Sequence, residues 1–323
     1  MSESLTVEKL VVGYPTGGLF GRLGRMQGRR VDVLSGVDLA VRSRETVALV
    51  GESGCGKTTL ARAILGLTPI TSGSVRVNGV TANGANDQSW RPIRRQVGLL
   101  FQDPLASLNP RMTVAALVTE AFRIHRIAGV DLREEARRLL SQVGLPARFL
   151  DRYPHQLSGG QARRVAMARA MALQPKLVIA DEPTAGLDLS VQGEVLNLLV
   201  ELQATLSVSF LLITHNLGVA QHIADRTSVM YLGRVVEAGP TGAVYSRPAH
   251  PYTRALMSTL GGRGPRTVLR GEAPDPGKRP PGCVFSGRCD FAQAQCATQI
   301  PAPRTLDDGR TVSCHFPMTG TAR

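Results

Sequence analysis

An α/β fold built on a parallel sheet is predicted by three observations. The apolar run TVALVG (46–51) passes through a glycine-rich loop into KTTLARAILGL (57–67), whose apolar residues recur at helical spacing. A second apolar run, LVIAD (177–181), ends on the adjacent acids Asp181 and Glu182, and a third, SFLLIT (209–214), follows it. Helical patterns at 158–174 and 190–206 alternate with these runs, which implies parallel strands with helices on the faces of the sheet.

Taken in order, the first element with chemistry is the loop GESGCGKT. A phosphate chain needs several donors converging on closely spaced oxygens, and glycines let backbone N–H groups turn inward without side chains in the way. Gly51 and Gly56 bracket such a turn, with Ser53, Gly54 and Cys55 between them. Lys57 is placed to reach the terminal phosphates, Thr58 to put its hydroxyl on Mg²⁺, and Thr59 to support the loop. Cys55 is expected to pack rather than react. From 111 to about 150, MTVAALVTEAFRIHRI and LREEARRLLSQVGL read as two amphipathic helices, a helical insertion.

Hydrolysis needs a carboxylate for the metal and a group to orient and deprotonate the attacking water. Asp181 and Glu182 supply these in turn. The stretch LSGGQARRVAMARAM (157–171) puts Ser158, Gly159, Gly160 and Gln161 at the start of a helix, a second anion site in one chain. An ordinary helix cap accounts for the serine but not for the glycine pair. Two sites for one nucleotide suggest a head-to-tail dimer in which ATP is the adhesive.

The bulk properties set limits. At 323 residues the chain can bury a large core, and no apolar run approaches the roughly 18 residues that span a bilayer. The first residues, MSESLTVEKL, lack the basic-then-apolar order of a secretory leader, so a cytoplasmic protein is expected. Basic residues exceed acidic ones by 38 to 25, which favours anionic partners, although scattered arginine on a generally basic surface explains the excess as well. Composition changes near 261, where GGRGPRTVLRGEAPDPGKRPPG reads as a linker. Of five cysteines, four follow it in the pattern C-x5-C-x6-C-x17-C: Cys283, Cys289, Cys296 and Cys314. In a reducing compartment four such thiols point to metal rather than disulfides, with zinc and an iron–sulfur cluster both open and little apolar surface to organise the segment otherwise.

Together these residues resemble the nucleotide-binding subunit of an ABC transporter. The likeness runs from about 5 to 260 and rests on ordered motifs: GESGCGKT, Gln102 in FQDP, LSGGQ, the strand ending at Asp181 and Glu182, GLD at 186–188, and His215 in ITHN. FQDPLASLNPRMTV, YPHQLSGGQ, HPYTRALMSTL and the cysteine tail narrow it to importers of the oligopeptide, dipeptide and nickel group. The resemblance implies a P-loop NTPase fold of ABC type with an antiparallel β subdomain, a helical subdomain at about 103–172, and a small irregular cysteine-rich extension at 261–323. It implies that Tyr14 stacks on adenine, that Gln102 senses the terminal phosphate, touches Mg²⁺ and links the site to membrane subunits, that His215 contacts that phosphate, and that Asp188 communicates across the dimer. It also implies a 4Fe-4S cluster on the four cysteines, with zinc the alternative. Ala162 replaces a charged residue common in related chains and is expected to adjust the dimer contact.

The implied partners are a second homologous ATPase, forming a heterodimer, two transmembrane permease subunits and an extracytoplasmic solute-binding protein, at the cytoplasmic face of the inner membrane. Uptake of di- or oligopeptides is the leading expectation, with nickel or another small solute served by the same machinery as the alternative. A nucleic-acid-acting ATPase has only the basic charge in its favour, so no direct nucleic-acid binding is expected. A regulatory module that grips ATP without turnover is the remaining class.

Overall fold

The computed structural model describes residues 2–16, 29–82, 87–260, 269 and 271–318. Residues 17–28, and residues 261–268 and 270 of the expected linker, lie outside the described residues. The chain begins with two long strands, β1 (Glu3–Thr16) and β2 (Arg29–Arg42), then β3 (Thr46–Val50), helix α1 (Lys57–Ile64), β4 (Ser72–Val77) and β5 (Val80–Ala82). β1, β2, β4 and β5 form an antiparallel sheet in the order β2-β1-β4-β5. No residue-level pattern pointed to this sheet; only the family resemblance did.

A helix α2 (Asp87–Gln96) leads to β6 (Val97–Leu100). The helical insertion follows: α3 (Pro104–Ser107), α4 (Val114–Val118), α5 (Glu120–Ile124), α6 (Leu132–Gln142) and α7 (Gly159–Met171). The first expected long helix is thus broken in two at Thr119. There the Thr119 hydroxyl donates to the Ala115 carbonyl (2.7 Å), the back-bonding by which threonine competes with the helical ladder.

β7 (Leu177–Asp181), α8 (Leu189–Leu206), β8 (Ser209–Thr214), α9 (Leu217–Ile223), β9 (Arg226–Tyr231), β10 (Arg234–Pro240), α10 (Thr241–Ser246) and α11 (Pro251–Met257) complete the main body. The extension adds α12 (Ala294–Thr298), β11 (Arg304–Thr305) and β12 (Thr311–Val312). The large sheet has the order β11-β12-β10-β9-β3-β8-β7-β6. Its β9-β3-β8-β7-β6 portion is parallel, as expected, while β10, β12 and β11 join antiparallel, so the sheet is mixed.

Alternation along the central strands sorts side chains to two faces. Leu177, Ile179, Leu211 and Ile213 pack with β1, β2, α1 and α2, whereas Val178, Ala180, Phe210 and Leu212 pack under α4, α6, α7 and α8. A third cluster joins Val229 and Tyr231 to Tyr252, Cys283, Val284, Phe285 and Cys296. Phe285 sits edge-on to Tyr231 (5.2 Å between centroids) and 5.4 Å from Tyr252. The cysteine segment therefore borrows a core from the body and does not depend on metal alone for apolar contact. Among the described residues no helix is long and apolar enough to cross a membrane.

Candidate nucleotide site

The carboxyl ends of four parallel strands meet at one cavity of about 420 Å³. Ligand crevices in open α/β sheets lie at this edge. β3 delivers Ser53, Gly54, Gly56, Lys57, Thr58 and Thr59; β6 delivers Gln102; β7 delivers Asp181 and Glu182; β8 delivers His215, with Val33 of β2 on the wall. The expected catalytic and Mg²⁺-binding residues are thus brought together from four segments spread over positions 57–215.

The loop geometry explains its glycines. A Cβ on Gly51 would lie 2.2 Å from the Met230 carbonyl oxygen, and Gly56, the residue before α1, has φ +110°, where L side chains are strained. Lys57 is buried, and its Nζ donates to the carbonyls of Gly51 (2.8 Å) and Glu52 (3.0 Å). Cys55 is buried, lies 3.8 Å from Lys57 Nζ and has its thiol pushed up by burial, consistent with packing.

Thr58 Oγ1 lies 3.4 Å from Asp181 Oδ2. Burial, and then the charge of Glu182, raise the Asp181 carboxyl above the usual range. Glu182 has φ +50°, a conformation that costs a non-glycine residue about 1–3 kcal/mol and persists where surrounding contacts fix it. Those contacts are visible: its N–H donates to the Ile213 carbonyl (2.8 Å), Oε1 accepts from the His215 N–H (3.0 Å) and meets His215 Nδ1 (2.7 Å), and Oε2 accepts from Thr214 Oγ1 (3.2 Å). His215 therefore holds Glu182 through one ring nitrogen. Thr214, inside the ITHN stretch, was missed in the sequence, where its neighbour His215 drew the attention.

Other expected residues are placed elsewhere. Tyr14 is exposed on β1 opposite Val31, and is not among the cavity-lining residues. Ser158 and Gln161 form a reciprocal cap on α7, Ser158 Oγ accepting from Gln161 N (3.3 Å) and Gln161 Oε1 from Ser158 N (3.0 Å), away from the cavity. Gly159 and Gly160 are exposed, and a Cβ on either would meet nothing within 4 Å. The internal packing of this chain does not demand glycine there. Asp188 caps α8, accepting from Val191 N (3.0 Å) and Ser190 Oγ (2.7 Å), which lowers its carboxyl's pKa. Ala162 is fully buried in the helical core, so it is no surface residue and does not adjust a dimer contact directly.

All four tail cysteines border one small cavity of about 10 Å³, beside His250 and His315. Burial raises the thiols of Cys283, Cys289 (to about 11) and Cys314, so each needs a cation to stay ionised near neutral pH. Among the described residues no three cysteine, histidine or carboxylate side chains converge as a ligand set. The donor type suits zinc or iron–sulfur, but the side-chain arrangement does not by itself form the site. His315 Nε2 is engaged by the Gln299 carbonyl (2.9 Å).

A family model described as ABC transporter matches residues 34–185, and one described as the C-terminal region of oligopeptide/dipeptide transporters matches 236–296. The di/tripeptide transport ATP-binding protein DppF of Pseudomonas aeruginosa is 44% identical over 88% of this chain and 90% of its own length. This chain belongs to the ABC transporter family. The oligopeptide transport ATP-binding protein OppF of Escherichia coli is likewise 44% identical, over 84% of each chain. Among solved structures, the ATP-binding cassette MJ0796 in a dimeric post-hydrolysis state bound to ADP and Pi is 28% identical with a TM-score of 0.63, covering 73% of this chain and 98% of that one. CbiO1 from Clostridium perfringens, part of an ABC transporter complex, has a TM-score of 0.65 at 27% identity, covering 81% of this chain and 96% of that one. The cassette is an ATPase, and its C-terminal segment is of the kind found in oligopeptide and dipeptide transporters.

Proposed function

We propose that this ABC ATPase powers uptake of di- or oligopeptides through two membrane permease subunits fed by an extracytoplasmic solute-binding protein, working at the cytoplasmic face of the membrane. The convergence of Lys57, Thr58, Gln102, Asp181, Glu182 and His215 on one cavity supports the hydrolytic part, and the matched C-terminal region and the relatives' names support the peptide part. Lys57 turns from the loop carbonyls to the terminal phosphates. Glu182, aligned by His215 and Thr214, takes a proton from water as the water oxygen bonds to the terminal phosphorus and the bond to the leaving ADP oxygen breaks. Thr58 and Asp181 are oxygen donors side by side and suit Mg²⁺, which when bound neutralises charge on the phosphate oxygens. Gln102 joins them from the β6 end, and His215 keeps Nε2 for the terminal phosphate.

The bare Gly159–Gly160 step supports a dimer in which the α7 start of one cassette closes over the phosphates held by the other. Tyr14 then flanks the adenine, and Asp188 faces the partner. A related but non-identical ATPase is the expected partner. The division into a cassette (1–260, helical subdomain about 103–172) and a C-terminal extension (261–323) is part of this reading. Replacing Lys57 with Ala should abolish turnover and nucleotide-dependent association, measured by phosphate release and light scattering. An unchanged variant removes the reading.

The shared cavity of Cys283, Cys289, Cys296 and Cys314 supports a metal centre, a 4Fe-4S cluster ahead of zinc. Anaerobically purified protein should carry iron and acid-labile sulfide in about equal amounts with a broad visible absorbance. Zinc alone at one per chain assigns the site to zinc, and neither metal rules the centre out.

A further inference from the structure

The cysteine-rich extension touches the phosphate loop. A short turn, Ser286–Arg288, lies between Cys283 and Cys289 and directs the Arg288 guanidinium onto Glu52, the residue that follows Gly51. The contact is bidentate: Nη1 donates to Glu52 Oε2 (2.7 Å) and Nη2 to Oε1 (3.0 Å). The same nitrogens donate to the Tyr231 hydroxyl (3.3 Å) and the Gly271 carbonyl (3.1 Å), and the guanidinium lies 5.8 Å from the Tyr231 ring centre. The Arg288 and Glu52 side chains are 9% and 26% exposed, so the pair is partly shielded from solvent and less screened than a surface ion pair.

Glu52 is held from three sides. Its carboxylate is gripped by Arg288, its N–H donates to the hydroxyl of the buried Tyr252 (2.9 Å), and its carbonyl accepts from Lys57 Nζ (3.0 Å). Tyr252 belongs to the HPYTRAL stretch and Arg288 to the extension, so both elements beyond the sheet act on the same loop residue. Phosphate binding needs loop donors already aimed at the ligand, and slack in the loop lowers affinity.

We propose that Arg288 is a positioning residue for the ATPase: through Glu52 it holds the backbone of the phosphate loop in its nucleotide-binding arrangement, making the extension part of the nucleotide site. This rests on the ATPase reading above. The full chain is compared as wild type, Arg288→Ala, Arg288→Lys, Glu52→Gln and the Arg288→Ala/Glu52→Gln double variant. The readouts are the dissociation constant of a fluorescent ATP analogue, KM and kcat for ATP, and the melting temperature.

Arg288→Ala and Glu52→Gln should each raise the dissociation constant and KM roughly tenfold, a typical coupling between linked sites, with a smaller change in kcat. The double variant should be no worse than the worse single, because both remove one contact. Arg288→Lys should not restore binding, since lysine lacks the planar fork. Wild-type affinity in Arg288→Ala, full rescue by lysine, or additive effects would overturn the proposal. Glu52→Gln keeps Arg288 and the extension intact, so its weakened binding separates loop positioning from a collapsed extension. If wild type hydrolyses ATP and Lys57→Ala does not, a silent Arg288→Ala sinks this inference alone; if wild type does not hydrolyse ATP, both readings fall.

Discussion

Glu182→Gln should cut ATP hydrolysis by about 10²- to 10⁴-fold while leaving ATP binding intact, the scale of loss when a general base is removed. The substitution conserves volume and keeps an oxygen for the N–H of His215, so the turn after β7 should retain its shape. What it removes is proton affinity: an amide cannot take the proton from attacking water. Product formation falls, ATP stays bound, and the closed dimer should accumulate, seen as a larger species by size-exclusion chromatography with ATP and Mg²⁺. Steady-state phosphate release at wild-type rate would mean that another group is the base, and would favour a module that holds ATP without turnover. Removing His215 should cost less, because Thr214 and the His215 main-chain N–H still hold the carboxylate.

How much of this site was legible in the sequence depended on how locally each residue is determined. Thr46–Val50, Leu177–Asp181 and Ser209–Thr214 sit where their apolar runs lie, because a strand covered on both faces must be apolar throughout and its ends are fixed by polar residues. Since parallel strands share one carboxyl edge, the motifs that follow them necessarily converge there. The antiparallel sheet was not legible from residues. β1 and β2 pair across register shifts, with Lys9 at φ +45°, and such irregularities blur the period-two pattern. The extension was misjudged for another reason: its strands are two residues long, and its apolar contacts are supplied by Tyr231 and Tyr252, far away in the chain. Arg288 and Glu52 are separated by 236 positions, and nothing local in either stretch announces the pair.

Arg310→Ala should destabilise the chain by about 3–5 kcal/mol, the cost of breaking a buried ion pair from one side. Arg310 and Glu237 are 5% and 0% exposed, and Arg310 Nη1 donates to Glu237 Oε1 at 3.0 Å. Arg310 also reaches Asp308 and the Arg247 carbonyl, so it ties the β11–β12 hairpin to β10 and α10. Glu237 accepts from the N–H groups of Ala249 and His250, which keep it oriented when the arginine is gone, yet burial already pushes its carboxyl above the usual range. Without Arg310 that push grows. A carboxyl whose folded-state pKa exceeds its unfolded value contributes stability at low pH and loses it as pH rises through the folded value. The deficit of Arg310→Ala relative to wild type should therefore be larger at pH 8 than at pH 5, measured by urea unfolding at each. Adding Glu237→Gln to Arg310→Ala should recover part of the loss at pH 8, since the stranded charge is gone and the amide oxygen still accepts from the backbone. If the double variant is less stable than Arg310→Ala at pH 8, the penalty comes from lost packing around the arginine stem and not from the buried carboxylate.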